Sequence, residues 1–340
     1  MKSVNWAILA PGRIANKMAE AMKKSKGKID INLYAVGSRD IERAKQFAEK
    51  WGFQKAYGSY KELLSDPKVD AVYIANPHSF HFESVIACLE SGKHVLCEKP
   101  AACNLDQLNK MIEKAKEKKL FFMEAMWTAF NPCIQKIKKV ISEGKIGEIK
   151  HIQSDFNGRF PFDIKSRTWN PELAGGALLD LGIYNIFYSM IINNFDPIVS
   201  HSSSARIVNG VDAWNSVNLI FKNGVTAHFQ SSIDIPILTN RHDSIIYGSK
   251  GFIISTDFNK QEKAEVHVYK TDAYSNSDIV EEIKAPFDIN GFEYQLIDAT
   301  ECILKGKIES DVHTFQHSID LCEMMDKLRN DWGFKYPFEK

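Results

Sequence analysis

No sign of charge predominates in this chain. Its 43 lysines and arginines balance 43 aspartates and glutamates, so no overall field favours nucleic acid or a membrane surface as a partner. The six cysteines (Cys88, Cys97, Cys103, Cys133, Cys302 and Cys322) form no C-x-x-C pair and no regular framework. That spacing argues against zinc, and no metal site is expected; the cysteines read as reduced thiols in a cytoplasmic protein. No apolar run is read as approaching the roughly 20 residues that cross a bilayer. The chain enters an apolar strand directly after Met1-Lys2-Ser3, and no signal peptide is expected. Repeats, low-complexity tracts and long linkers are also missing. What is present is ordinary globular composition, 44% hydrophobic and 25% charged over 340 residues, enough for about two domains.

A glycine is missing as well. In "ILAPGRIANKM" (8–18) the three positions of a dinucleotide-binding turn hold Ala10, Gly12 and Ala15, where Gly-x-Gly-x-x-Gly or -Ala is the pattern. The middle glycine, which lets backbone approach a pyrophosphate, is kept. Ala15 adds only a methyl at the packing position, and Ala10-Pro11 requires a different backbone path. The helix beginning at Gly12, Arg13 and Ile14 still offers free N–H groups and a partial positive charge to a phosphate. An ordinary strand–helix turn is the alternative. At the end of the second strand, where a carboxylate would hold ribose hydroxyls, the chain has Ser38-Arg39, with Arg43 a helical turn on. A hydroxyl and a guanidinium suit a 2′-phosphate, so NADP(H) is the predicted preference, with NAD(H) open.

The first third alternates apolar strands (4–10, 31–38, 70–77, 94–100, 120–126) with helical patterns (12–24, 41–52, 80–93, 104–119). Non-alternating strands joined by helices imply a parallel sheet covered on both faces. The pattern changes near residue 124. After helices at 131–147 and about 176–194 the chain turns strand-rich, with a hairpin signalled by Asn223-Gly224. The expected fold is α/β: a Rossmann domain over 1–123, then a substrate-binding and oligomerisation domain over 124–340 on an open, mostly antiparallel sheet.

The stretches "ANPHSFHFE" (75–83), "GKHVLCEKP" (92–100), "MEAMW" (123–127) and "GGALLDLGIY" (175–184), following that turn in order, resemble the Gfo/Idh/MocA oxidoreductases. The likeness spans essentially the whole chain and is greatest to the dihydrodiol dehydrogenase branch, also described as D-xylose dehydrogenases. The resemblance implies that Glu98, Lys99 and Pro100 sit beside the nicotinamide ribose, with Lys99 touching cofactor and substrate. It implies that Asn76, Pro77 and His78 line the nicotinamide side. His81 is either a further cofactor contact or a packing histidine. Asp180 and Tyr184, spaced i, i+4, share a helix face. Alcohol oxidation requires a base for the hydroxyl proton while hydride leaves, and reduction requires the same group as an acid. A free tyrosine, with a pKa of about 10, needs a nearby ammonium such as Lys99 to serve. Tyr184 is therefore the expected acid/base, with Lys99 as electrostatic partner and relay and Asp180 as orienter. The alternative gives Lys99 the proton and leaves Tyr184 to position substrate. Trp127, Phe160, Arg167, Trp169 and Tyr294 are the candidate substrate residues, against plain core packing for the aromatics.

These features predict an NADP(H)-dependent enzyme moving a hydride between the nicotinamide and a CH–OH or carbonyl of a small sugar, polyol or trans-dihydrodiol. A non-enzymatic NAD(P)-binding regulator of the same family is the alternative. It would need Gly12 but not Lys99, Asp180 and Tyr184 together. A glycosidase that oxidises transiently with bound NAD is a third reading, disfavoured by Ser38-Arg39. An antiparallel sheet with an apolar outer face implies a homodimer or larger homo-oligomer through that sheet.

Overall fold

The computed structural model describes residues 3–236, 242–270 and 276–339. In the first third, β1 (Val4–Leu9), α1 (Arg13–Ser25), β2 (Ile31–Gly37), α2 (Ile41–Trp51), β3 (Lys55–Tyr57), α3 (Tyr60–Ser65), β4 (Ala71–Ile74), α4 (His81–Glu90), β5 (His94–Glu98), α5 (Leu105–Lys118) and β6 (Phe122–Ala125) follow one another. The helices start where the sequence supplies caps. Asp40 accepts the amides of Glu42 and Arg43, Ser59 that of Glu62, and Asn104 that of Gln107, each satisfying donors the helix leaves open. Gly52, at φ 84°, ends α2. The six strands pair in parallel in the order β3-β2-β1-β4-β5-β6. The order reverses between β1 and β4, the point where doubly wound sheets bind ligands at their carboxyl edge.

The second part opens with α6 (Pro132–Ser142) and β7 (Ile149–Asn157), then α7 (Ile183–Ile192). It continues through β8 (Ile198–Val208), β9 (Val211–Phe221), β10 (Thr226–Ser232), β11 (Ser244–Gly248), β12 (Gly251–Ser255), β13 (Lys263–Tyr269) and β14 (Ser277–Lys284). These eight strands form one sheet, β14-β13-β12-β11-β7-β10-β9-β8. Every neighbouring pair is antiparallel except β7 with β10. All ten residues of α7 are buried.

Two helices close the chain, α8 (Phe292–Leu304) and α9 (Phe315–Asp331). They correct the expected boundary. The first compact unit comprises Met1–Trp127 together with Asp288–Glu323, and the second Thr128–Phe287 together with Met324–Lys340. The return is fixed by polar contacts inside the first unit: Trp6 donates to the buried Thr300 hydroxyl at 3.2 Å, and Asn290 donates to the Lys17 carbonyl at 3.0 Å. The absence of long apolar runs also needs correction. Pro171–Ile192 is long and apolar enough to cross a membrane, but 94% of its most apolar stretch is buried in protein, as in a core helix.

Candidate functional site

In the first unit the predicted cofactor residues gather at the carboxyl edge of the parallel sheet. The turn after β1 takes the path left open by its missing glycine. Ala10 adopts φ 69°, the left-handed conformation that glycine enters freely and that costs an L-residue about 1–2 kcal/mol. The turn is closed by Ala10 N–H to the Gly37 carbonyl at 3.0 Å and Gly12 N–H to the Ala10 carbonyl at 2.8 Å. A Cβ at Gly12 would meet only Ala10 oxygen, at 3.9 Å, so Gly12 is kept for what approaches the turn rather than for packing. The first turn of α1 holds no acidic residue, Arg13 is exposed and Ile14 half-buried. That is a helix N-terminus suited to an anion.

At the end of β2, Ser38 is buried and its hydroxyl accepts the Asp40 amide at 3.2 Å. Asp40 turns its side chain into the N-terminus of α2. Arg39 and Arg43 are exposed, and their charges oppose the burial that raises the Tyr60 phenol; Arg43 also donates to the Pro11 carbonyl at 3.3 Å. At the end of β4, Asn76 donates to Ser84 at 2.8 Å, while its buried side-chain oxygen has no partner among the described residues. Pro77 leads into a short helical turn, His78–Phe80, with His78 buried.

The end of β5 is held most tightly. Glu98 is buried and takes the Tyr73 hydroxyl on one oxygen and the Lys99 amide on the other. Lys99 is 9% exposed, and the Lys99–Pro100 peptide is cis. His81 is fully buried, with Nδ1 2.7 Å from the Pro100 carbonyl and Nε2 2.8 Å from that of Asn76. Burial pushes its pKa down against those two carbonyls, and these contacts fit the packing alternative. Trp127 packs on Phe292 with ring centroids 4.9 Å apart, and the Tyr294 hydroxyl accepts the Asp288 amide at 3.2 Å.

In the second unit, Gly175-Gly176 precede a π-helical turn, Leu178–Gly182, that runs into α7. Such turns are frequent at functional sites. Asp180 lies in the π turn and Tyr184 in the first turn of α7, both buried. Arg167 grips Asp180 through two bonds, 3.1 and 3.0 Å. The fork-on-carboxylate geometry fixes both side chains, so Arg167 orients Asp180, a pairing not foreseen in the sequence. Tyr184 stands 5.6 Å from Phe156 between ring centroids. Trp169 is buried, donates to the Phe160 carbonyl at 3.2 Å, and packs in an apolar cluster that Phe160 joins.

Two buried carboxylates escaped the sequence reading. Asp212 accepts the Leu178 amide at 2.8 Å, capping the turn that carries Asp180, and takes Asn215 at 2.9 Å; burial raises its pKa to about 7. Glu124 accepts the Ala101 amide at 2.8 Å and the Ser318 hydroxyl at 2.9 Å. Burial pushes its carboxyl up, but bonds from His313, Ala101 and Ser318 outweigh that and leave it below the ordinary range. A carboxylate inside an apolar strand, "FFMEAM", is the signal that could have exposed Glu124; Asp212 had none.

Comparison with known proteins agrees with this geometry. Residues 4–126 match the family described as "Oxidoreductase family, NAD-binding Rossmann fold", and residues 134–254 match "GFO/IDH/MocA C-terminal domain". The trans-1,2-dihydrobenzene-1,2-diol dehydrogenase of Xenopus laevis is 33% identical over 98% of this chain and 100% of its own length. The Homo sapiens protein of that name is 31% identical over 99% of each chain. KijD10, a 3-ketoreductase from Actinomadura kijaniata solved with NADP, superposes with a TM-score of 0.81 at 24% identity, covering 96% of this chain and 97% of that one. Levoglucosan dehydrogenase, solved with NADH and L-sorbose, gives 0.84 at 18%, covering 98% and 97%. At those identities the two solved structures establish the fold. With the Rossmann edge, the sequence relatives and both family matches in agreement, the chain belongs to the Gfo/Idh/MocA oxidoreductases and is an NAD(P)-dependent enzyme of that family.

Proposed function

We propose that the enzyme prefers NADP(H) and oxidises a CH–OH group of a sugar, polyol or trans-dihydrodiol, or reduces the matching carbonyl. The dihydrodiol dehydrogenase names of its full-length relatives support the diol class. The observation that carries the cofactor preference is the end of β2. Asp40, the carboxylate that follows the strand end in sequence, is spent on a helix cap, and two guanidinium groups are left at the surface, a charge pattern that favours a 2′-phosphate over bare ribose hydroxyls. The residues present fit a dinucleotide: the α1 N-terminus would hold the pyrophosphate, and the Asn76 oxygen, without a partner among the described residues, would accept a donor from the nicotinamide half. When bound, the nicotinamide supplies the acceptor or donor of hydride.

The proton is the protein's part. Tyr184 takes it from the substrate hydroxyl in oxidation and returns it in reduction. Lys99 favours the phenolate by its charge and relays the proton. Asp180, held by Arg167, orients the substrate hydroxyl. The test is a screen of sugars, polyols and diols with NADP⁺ and NAD⁺, followed by the absorbance of reduced cofactor. Tyr184→Phe is expected to lower turnover by about 10² or more. Near-normal turnover in Tyr184→Phe, with loss in Lys99→Met, reverses the two roles.

We further propose a homodimer or larger oligomer through the eight-stranded sheet. An aromatic row crosses it from His151 on β7 through Tyr247 on β11 and Phe252 on β12 to His267 and Tyr269 on β13, with Phe252 and His267 stacked at 4.5 Å. These side chains are only half-buried, and such a face calls for cover. Light scattering at micromolar concentration checks it, and a monomer refutes it. The six buried cysteines fit a reducing, cytoplasmic setting.

A further inference from the structure

We propose that Glu124 and His81 are positioning residues for Lys99, acting together on a single peptide group. The inference rests on the reading that Lys99 serves the reaction. Pairing of β5 with β6 ends at Glu98 opposite Ala125, so no strand ladder fixes the backbone at Lys99. Beyond the Lys99 amide's own 3.3 Å bond to Glu98 Oε2, the next peptide, joining Pro100 to Ala101, sends its two polar groups to buried side chains. The carbonyl meets His81 Nδ1 at 2.7 Å, and the N–H donates to Glu124 Oε1 at 2.8 Å.

Each grip is anchored in turn. His81 Nε2 lies 2.8 Å from the Asn76 carbonyl at the end of β4, and the neutral ring donates its one N–H to one of these two carbonyls. The second oxygen of Glu124 takes the Ser318 hydroxyl at 2.9 Å and His313 Nε2 at 3.4 Å, and Ser318 also meets His313 Nε2 at 3.0 Å. The turn beside Lys99 is thus tied to β4, β6 and the start of α9. A buried carboxylate is a costly way to satisfy one amide, since its desolvation must be offset by every bond it makes. Glu124 makes three, and two of them bring in residues that lie on no other candidate site. A misplacement near 1 Å at a reacting group costs about 10² in rate, which gives the arrangement a function that core packing lacks.

The experiment compares Glu124→Ala, Glu124→Gln and Ser318→Ala with the wild-type enzyme. Three readouts are taken: hydrogen exchange at the Ala101 amide, NADPH affinity by fluorescence, and kcat and KM with NADP⁺ and the best substrate of the screen. Glu124→Ala is expected to speed Ala101 exchange by about tenfold or more. Its kcat should fall by about thirtyfold or more, with NADPH affinity within about threefold. Glu124→Gln keeps an acceptor oxygen and should recover to within about fivefold of wild type. Should Glu124→Ala fail to fold, Ser318→Ala carries the test, with kcat down about threefold to tenfold. A protected Ala101 amide in Glu124→Ala, or a freed amide with unchanged kcat, overturns the proposal. A wild type that binds NADPH and turns over no member of the panel instead overturns the catalytic reading beneath it, a failure visible before any variant is made.

Discussion

Gly176→Ala probes the entry to the helix that carries Asp180 and Tyr184. Gly176 has φ 117°, and a Cβ built there would stand 2.2 Å from Asp212 Oδ1 and 3.4 Å from the Asp212 amide nitrogen. Two costs add. The backbone conformation is one L-residues rarely adopt, worth about 1–3 kcal/mol. Asp212 cannot simply swing away, because it is fully buried and holds the Leu178 amide and Asn215. Displacing it strands those donors, for about another 1–3 kcal/mol. The expected loss is therefore about 4 kcal/mol in urea unfolding. Gly27→Ala serves as the control. Gly27 also has a left-handed φ, 84°, but nothing lies within 4 Å of the added methyl, so it should lose only about 1 kcal/mol. A double-mutant cycle separates the two costs. In an Asp212→Ala background the collision is gone, and Gly176→Ala should cost only about 2 kcal/mol, a coupling of about 2 kcal/mol. A loss under about 1 kcal/mol in the single variant, or an equal loss in both backgrounds, refutes the collision as the cause.

Two further outcomes follow from the same geometry. Asp212 has its folded pKa raised to about 7 from 3.8, so the folded state keeps a proton that the unfolded chain gives up. Its stabilising effect is fully present below about pH 4 and lost as pH rises through about 7. Melting temperatures of wild type against Asp212→Asn should converge or cross over that window, and parallel curves count against a protonated Asp212. Arg39→Ala should cut the preference for NADP⁺ over NAD⁺ by about tenfold or more, the worth of one charge-assisted bond, read as the ratio of kcat/KM for the two cofactors; an unchanged ratio removes Arg39 from cofactor choice.

Local and short-range features of this chain were legible, and long-range ones were not. Asn104 as a cap, Gly52 as a stop and the Asn223-Gly224 turn each act within a few residues, so the sequence shows them directly. The parallel sheet was legible because each of its strands is a buried, non-alternating run between helices. The return of Asp288–Glu323 to the first unit was hidden, since it depends on contacts such as Trp6 to Thr300, 294 residues apart. The same limit applies to the candidate site. Lys99, Asp180 and Tyr184 stood out by motif, yet what fixes them is remote. Arg167 holds Asp180 from a loop, Glu124 meets Ser318 across 194 residues, and Asp212 caps the π turn from β9. Trp169 stayed open between substrate and core for a related reason: an aromatic beside an arginine has the same spelling whether it faces a ligand or the core. A motif names the groups that do chemistry because their type is dictated by the reaction. The groups that aim them need only supply an acceptor or donor at the right point, and many residues at many positions can do that. Ala10 shows the converse. Its φ of 69° keeps the geometry of the turn while discarding the glycine that signals it, so the conformation is what the site requires and the residue type is only its commonest mark.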